Sequence, residues 1–526
     1  MDSVNAYIER VSSAARRAAE ARDWNQVRAC AKEILDRQWD NAEGRFLLGL
    51  AEQASNRQEQ AIKAFSRAIR LDEDRYDAAV ELAGLYLKAN RYGDAVALLR
   101  RYAPMLDNSP RYLDMAGTIL TRAGLPAEAW PMFRKANELQ PGIDSLRANL
   151  AECAVFVGRI DEARDIYSQL LEKHPGHQRN HYELSRLGRA ADRKHIERMK
   201  DVLSASPKPE NNVYLYYAIG KELEDLEQWD EAFEYYKMAG DAASSVANYD
   251  VQADVRLIDK VIDVCDGNWL AGGAAAINPG GGDKIPVFIV GLPRSGTTLT
   301  ERILASHSNV ESAGESYLVQ LAIKHASGVR TTDPMNPAII ESAAKHDARK
   351  IGRQYLDTIA YKLGDEPQFI EKFPENILYL GFIAKALPHG RVIMQKRNPM
   401  DNCFAMYKQS YFRYAYRLDD LGTYYAAWHR LYRHWRELLS DRLIEVEYET
   451  MVGDQEGETR RLLDALGLEF EEACLRFEEN VTASNTASTV QIREKMHSRS
   501  VQRWKRFASQ LEPLRKRLQD AGIDVE

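Results

Sequence analysis

The residues best suited to chemistry are Gly291-Leu292-Pro293-Arg294-Ser295-Gly296-Thr297-Thr298. Pro286 to Val290 before them is wholly apolar, the pattern of a strand buried on both faces of a parallel sheet, and Leu299 to Leu304 after them reads as helix. A glycine loop in that setting presents backbone N–H groups at a helix N-terminus, where phosphate oxygens bind. The G-x-x-x-x-G spacing is Walker-like, but Thr297-Thr298 stands where a nucleotide triphosphatase carries Lys and then Ser or Thr. Without that lysine there is no obvious group for a β/γ-phosphate. The later run Val392-Ile393-Met394-Gln395 leads into Lys396-Arg397 rather than a metal-binding Asp. A donor with a 5′-phosphosulfate end and no magnesium requirement fits better, with Arg294 and the two threonine hydroxyls supplying charge and donors. No His, Asp or Cys cluster at ligand spacing implies a metal.

Further motifs follow at separated positions. Pro293 to Thr298, His307 in Ala305-Ser306-His307, and Gly314-Glu315 run on without a gap, and then come Phe369-Ile370-Glu371-Lys372-Phe373-Pro374 and Arg391-Val392-Ile393-Met394-Gln395-Lys396-Arg397-Asn398-Pro399. Glu445-Val446-Glu447-Tyr448-Glu449, Thr486 to Arg493 and Ser500 to Lys505 complete the set. Together they resemble the sulfotransferase superfamily over about 285 to 510, nearly the whole second half of the chain.

The resemblance implies a direct in-line transfer of a sulfuryl group from 3′-phosphoadenylyl sulfate to an acceptor hydroxyl, leaving adenosine 3′,5′-bisphosphate and needing no metal. It implies Glu315 as the base, and Lys372 with Arg294 and Ser488 as stabilisers of the departing phosphosulfate oxygen. Ser295, Gly296, Thr297 and Thr298 would hold the 5′-phosphate, Arg397 the 3′-phosphate, and Tyr448 would lie by the nucleotide. Ser488 and Arg503, fifteen residues apart, match the serine and basic residue of a segment that closes over the donor, with Arg503 in place of the usual lysine. The chain departs from the pattern at Ala405, where a serine is expected eight residues after Arg397; either Ser410 or Tyr407 substitutes, or donor affinity falls.

The first half of the chain is organised differently. Ala61, Ala95, Ala129 and Ala163 recur at a constant step of 34, as do Gly49, Ala83, Gly117 and Ala151, and the larger residues Phe65, Leu99, Phe133 and Tyr167. Gly124 and Gly158 fall in the turns, and Pro141 and Pro175 follow the second helix of a pair. These series resemble tetratricopeptide repeats, antiparallel helix pairs whose small residues allow close approach. The repeat at about 8 to 41 is weaker, with Val27 in the alanine slot. After Pro175 the pattern breaks at Ser185 and Glu197, and register returns with Gly220, Ala232, Tyr236 and Ala239. About six or seven repeats are expected, one of them degenerate.

The whole chain therefore resembles the bacterial proteins that join such repeats to a sulfotransferase domain related to tyrosylprotein sulfotransferases. The expected architecture is an all-helical solenoid over 1–245, a helical connection and glycine-rich linker over 246–284, and a P-loop-like α/β domain with a central parallel sheet over 285–526. Gly267 to Lys284, with Pro279-Gly280-Gly281-Gly282, is not expected to support a helix or strand.

The acceptor most in keeping with the resemblance is a tyrosine of a protein or peptide held on the concave face of the repeats. A glycan, lipid or small-molecule hydroxyl competes with it, and packing or homo-oligomerisation is the other role open to the repeats. A kinase using the same loop and a scaffold with a pseudo-enzyme domain remain as readings from other classes.

A net charge of −7 over 526 residues gives no nucleic-acid footprint. Locally, nine Lys or Arg against two Glu between Gln491 and Arg517 form a basic run expected at the donor. Five scattered cysteines with no C-x-x-C pair argue against a zinc site or disulfide framework. With no signal-like N-terminus after Met1 and no stretch of apolar residues near membrane-span length, a cytoplasmic location is expected.

Overall fold

A computed structural model of the chain describes residues 2–272, 284–484, 486 and 488–526. Met1, Asn485, Ala487 and, of the glycine-rich stretch, 273–283 lie outside the described residues. Two compact units divide the chain, Met1–Cys153 and Ala154–Glu526.

In the first unit, antiparallel helices follow one another from Asp2–Glu20 to the pair Pro110–Arg122 and Pro126–Leu139. The two sequence series meet in space. A Cβ added to Gly49 would come within 2.5 Å of the Phe65 ring, and one added to Gly117 within 2.9 Å of the Phe133 ring. Each small residue is thus the hole into which the aromatic sixteen positions later inserts, the ridge-into-groove contact that fixes helix spacing. Val27, in the weak first repeat, is fully buried like the alanines it replaces.

The turns obey the same period. Arg22, Asn56, Asn90 and Gly124 all have φ between 57° and 81°, a left-handed conformation that ends the first helix of each pair. Gly158 and Glu227, in the second unit, take the same conformation at φ 85° and 61°.

The second unit carries the remaining helix pairs together with a five-stranded sheet. After Pro175 the pair is stunted: Gln178–Ser185 has eight residues and Lys194–Ser204 eleven. His181 Nδ1 lies 2.8 Å from His195 Nε2, and His195 Nδ1 lies 2.6 Å from Glu222, a polar seam in place of the usual small-to-large packing. Val213–Asp225 and Trp229–Val246 restore the pattern, with Gly220 facing Tyr236 at 2.9 Å from an added Cβ.

The stretch from Gly267, expected to be neither helix nor strand, begins with a short helix, Gly267–Ala271. Asp266 caps it by accepting the Trp269 N–H at 2.7 Å. Trp269 anchors it, donating its indole N–H to the Ala344 carbonyl at 2.9 Å and meeting Phe382 edge-on at 5.2 Å. Composition pointed to a linker, but a cap and one aromatic anchor outweigh it locally.

The sheet consists of β1 (Ile285–Gly291), β2 (Val310–Gly314), β3 (Gln368–Lys372), β4 (Arg391–Lys396) and β5 (Leu443–Glu447). Its order is β2-β3-β1-β4-β5 and every pairing is parallel. Val287, Ile289, Ile370, Ile393 and Val446 form one buried face against Ile303 and Leu304 of the helix Thr297–Leu304 and against Leu462 and Leu463. Phe288 fills the other face, 5.7 Å from Tyr355. With both faces covered, a continuous apolar run is what a central strand requires. β1 lies between β3 and β4, so the chain leaves it in one direction to β2 and later crosses to the other side, opening a crevice at the carboxyl ends of the strands.

Candidate functional site

Each strand delivers a candidate residue to that crevice. The glycine loop follows β1, Glu315 follows β2, Lys372 ends β3, Arg397 follows β4 and Tyr448 follows β5. Parallel pairing sets them side by side, since Ile289 near the end of β1 pairs with Lys372 and Gly291 pairs with Gln395.

The loop's glycines are required by geometry. Gly291 has φ 153° and a Cβ there would lie 2.6 Å from the Gln395 carbonyl oxygen, while Gly296 has φ 108° and would meet the Tyr448 ring at 2.7 Å. Arg294 adopts a left-handed φ of 66°. Ser295 donates its hydroxyl to the Leu292 carbonyl at 2.7 Å, closing the turn, and Asn402 donates to the Pro293 carbonyl at 2.8 Å. Gly296 caps the helix Thr297–Leu304, whose first N–H groups point back toward the loop. Thr297 and Thr298 are buried, and the Thr298 hydroxyl lies 3.5 Å from that of Thr486.

The two arginines are held by neutral acceptors. Arg294 bonds the Ser488 hydroxyl and, at 2.8 Å, the Gln491 side-chain oxygen. Arg397 donates to the Arg294 carbonyl at 2.9 Å and to the Ser500 carbonyl at 2.6 Å, with its guanidinium 4.9 Å from the centre of the Tyr448 ring. The Nε atoms of both are buried without an acceptor among the described residues. Burial holds the Arg294 guanidinium below its usual range, and the charges of Arg397 and Arg186 push the same way. Two neighbouring cations with unspent donors are suited to an anion.

Lys372 is fully buried, with its ammonium on the Glu315 carboxylate and 3.7 Å from Glu301 Oε2. Glu301 accepts the Ser312 hydroxyl at 2.6 Å. Glu315 keeps 36% of its side chain exposed, so it faces outward from the pair.

Several groups at the site escaped sequence reasoning. Lys362 donates to the Ala313 carbonyl at 2.8 Å beneath the end of β2, and burial holds its ammonium below its usual range. Burial, reinforced by the Glu315 charge, pushes the Glu375 carboxyl up to about 7. Glu371, fully buried, accepts the Ser316 hydroxyl at 2.7 Å and an Asn376 N–H at 3.3 Å, fixing the residue next to Glu315. The Lys-x-Pro motif contains Glu371 and adjoins Glu375, but nothing local marks Glu371 as buried or Glu375 as half-buried.

The basic run does not gather on the loop. Arg499 pairs with Glu494, Arg515 with Glu512, and Arg517 with Asp419. Arg493 lies against Gly158 and donates to the Phe156 carbonyl at 3.4 Å. Arg503 bonds Glu224 at 3.1 Å and stacks on Trp229 at 4.4 Å. Local carboxylates, Glu494 and Glu512, and distant partners, Asp419, Glu224 and Trp229, draw these charges off. Of the two substitutes considered for the missing serine, Tyr407 is buried 5.8 Å from the Phe233 ring, and Ser410 lies 3.3 Å from the Tyr182 hydroxyl.

Residues 286–472 match the family model described as Sulfotransferase family, and 53–118 and 120–187 match that of the tetratricopeptide repeat. An uncharacterized protein of Aquifex aeolicus (strain VF5) is 27% identical over 431 residues, 80% of this chain and 56% of that protein. A putative protein-tyrosine sulfotransferase of Caenorhabditis briggsae is 25% identical over 227 residues, 41% of this chain and 80% of that protein. The chain thus spans little more than half the length of the first of these relatives. Among solved structures, the sulfotransferase domain of the Synechococcus PCC 7002 olefin synthase aligns with a TM-score of 0.32 at 19% identity, covering 42% of this chain and 88% of that domain.

Proposed function

We propose that this chain, which joins tetratricopeptide repeats to a sulfotransferase-family domain, transfers a sulfuryl group from 3′-phosphoadenylyl sulfate to an acceptor hydroxyl. The observation that carries the reading is the pair Arg294 and Arg397, buried at Nε, unspent, and set beside a loop that fits a 5′-phosphate. Ser295 to Thr298 hold that phosphate through backbone N–H groups and hydroxyls, and Arg397 takes the 3′-phosphate while Tyr448 lines the nucleotide. Ser488 and Gln491 keep Arg294 in place.

Glu315 removes the acceptor proton as the acceptor oxygen bonds to sulfur; the bond from sulfur to the bridging oxygen breaks, its electron pair remaining on the phosphate. Lys372, which holds Glu315 beforehand, turns its ammonium to that bridging oxygen as charge appears there. The ion pair therefore stores the base and the electrophilic partner side by side.

A tyrosine of a protein or peptide is the acceptor we favour, because relatives that share the domain are named for it. Five buried cysteines without a disulfide among the described residues favour a reducing compartment, and no described helix is long and apolar enough to cross a membrane. Calorimetric titration tests the donor site: adenosine 3′,5′-bisphosphate binds and ATP with magnesium binds far more weakly. Equal affinity for the two, or unchanged bisphosphate binding after Arg397→Ala, would show the site to be misassigned.

A further inference from the structure

The helix Pro399–Tyr407 begins two residues after Arg397 and carries Ala405 where a donor-binding serine is expected. Asp401, Ala405 and Lys408 are spaced by four and three residues and share one face. That face looks onto the segment around Ser500 to Trp504: Asp401 accepts the backbone N–H of Gln502 at 2.6 Å and of Trp504 at 2.8 Å. The same segment supplies the Ser500 carbonyl to Arg397. Lys408 therefore stands one turn beyond the vacant serine position, on the side where Arg397 and Arg503 lie.

Its counter-ion comes from the repeats. Glu224, on the helix Val213–Asp225, is buried and receives Lys408 Nζ at 2.8 and 2.9 Å, Arg503 Nε at 3.1 Å and the Tyr236 hydroxyl at 2.7 Å. Lys408, Arg503 and Arg397 thus face two carboxylates, Glu224 and Asp401, so one positive charge stays in excess. Burial pushes the Lys408 ammonium down, with Arg503 and Arg294 adding to the effect and Glu224 opposing it, so a further anion relieves the cluster.

Resting on the donor reading above, we propose that Lys408, held in place by Glu224 of the repeats, is an additional contact for the donor's 3′-phosphate and does the work of the absent serine. A charged donor to phosphate makes a stronger bond than a hydroxyl does. The repeats then complete the donor site, with Glu224 as a positioning residue.

The test is calorimetry on the full chain with adenosine 3′,5′-bisphosphate and with adenosine 5′-phosphate, which lacks the 3′ group. The double variant Lys408→Met/Glu224→Gln removes one cation and one anion, so the net charge of the cluster is unchanged, and leaves Arg503 on the residue 224 carbonyl and the Trp229 ring; it is expected to weaken the bisphosphate by about 10- to 100-fold and the monophosphate by about 2-fold or less. Lys408→Arg, which keeps the charge opposite Glu224, is expected to stay within about 3-fold of wild type for both ligands. Wild-type affinity for the bisphosphate in the double variant, equal weakening of both ligands, or a loss in Lys408→Arg as large as in the double variant would each overturn the proposal. If the wild-type chain does not prefer the bisphosphate to the monophosphate, the donor reading fails instead, and this inference falls with it.

Discussion

Replacing Lys372 by Met separates what the buried ammonium does for stability from what it does for transfer. Lys372 is fully buried between Glu301, whose side chain is 10% exposed, and Glu315, whose side chain is 36% exposed. Glu315 can turn to water when the ammonium is lost, so little of the cost arises there. Glu301 cannot: one oxygen is satisfied by Ser312, and Oε2 is buried without a hydrogen bond. Leaving such a carboxylate without its nearest cation, with only Lys362 and Arg302 acting on it from farther off, costs up to about 3–5 kcal/mol. Adding Glu301→Gln removes that charge, and the double variant is expected to recover stability to within about 1 kcal/mol of wild type. The proposed sulfuryl transfer is expected to behave differently, because a preorganised cation at the leaving oxygen would be worth about 100- to 1,000-fold in rate. Urea denaturation and a steady-state assay with labelled donor provide the two readouts. If Lys372→Met/Glu301→Gln regains both stability and rate, Lys372 is only a structural counter-ion and the catalytic argument is wrong.

Gly296→Ala forces a side chain into a φ of 108° and onto the Tyr448 ring, so affinity for adenosine 3′,5′-bisphosphate should fall about 10-fold or more by calorimetry, and the strain should cost about 1–3 kcal/mol in thermal denaturation. Glu375, with its carboxyl pushed up to about 7 in the fold from an ordinary 4.5, binds more protons folded than unfolded between those values. Its contribution is therefore fully present below about pH 4.5 and is lost as pH rises through 7. The urea midpoint of wild type should drop more from pH 5 to pH 8 than that of Glu375→Gln, and equal slopes would contradict the assignment. At Arg22, where φ is 57°, Arg22→Gly should stabilise the first unit by about 1 kcal/mol, and Gly124→Ala, at φ 81°, should destabilise it by about 1–2 kcal/mol in thermal denaturation.

The helix pairs were legible because packing repeats: Gly49 faces Phe65 and Gly117 faces Phe133, so the chain writes the same contact every 34 residues. The left-handed turns were only half legible, since Gly124 declares its conformation and Arg22 conceals it. At the site, residues tied to strand ends could be read, because a glycine loop or an Arg-x-Pro after an apolar run places its own side chains. Long-range electrostatics could not. Nothing near Arg503 announces Glu224, 279 positions earlier, and nothing near Lys372 announces that Glu301 shares it. The short helix at Gly267 was hidden for a related reason, as its anchor is a carbonyl 75 residues away from Trp269.

Phe404 and Phe507 lie 4.4 Å apart, and rings from the repeats close over them: Trp229 and Phe233 on Phe507, Tyr236 on Phe404. At Gly240 the approach is so close that a Cβ would stand 2.3 Å from the Tyr416 carbonyl oxygen. A fragment cut to begin at Ile285 would lay this greasy patch bare to water and strand Lys408 and Arg503 without Glu224, inviting self-association. One that begins at Ala154 carries the patch already covered. For anyone expressing the sulfotransferase-family half alone, the last repeats are less an appendage than the missing wall of its core.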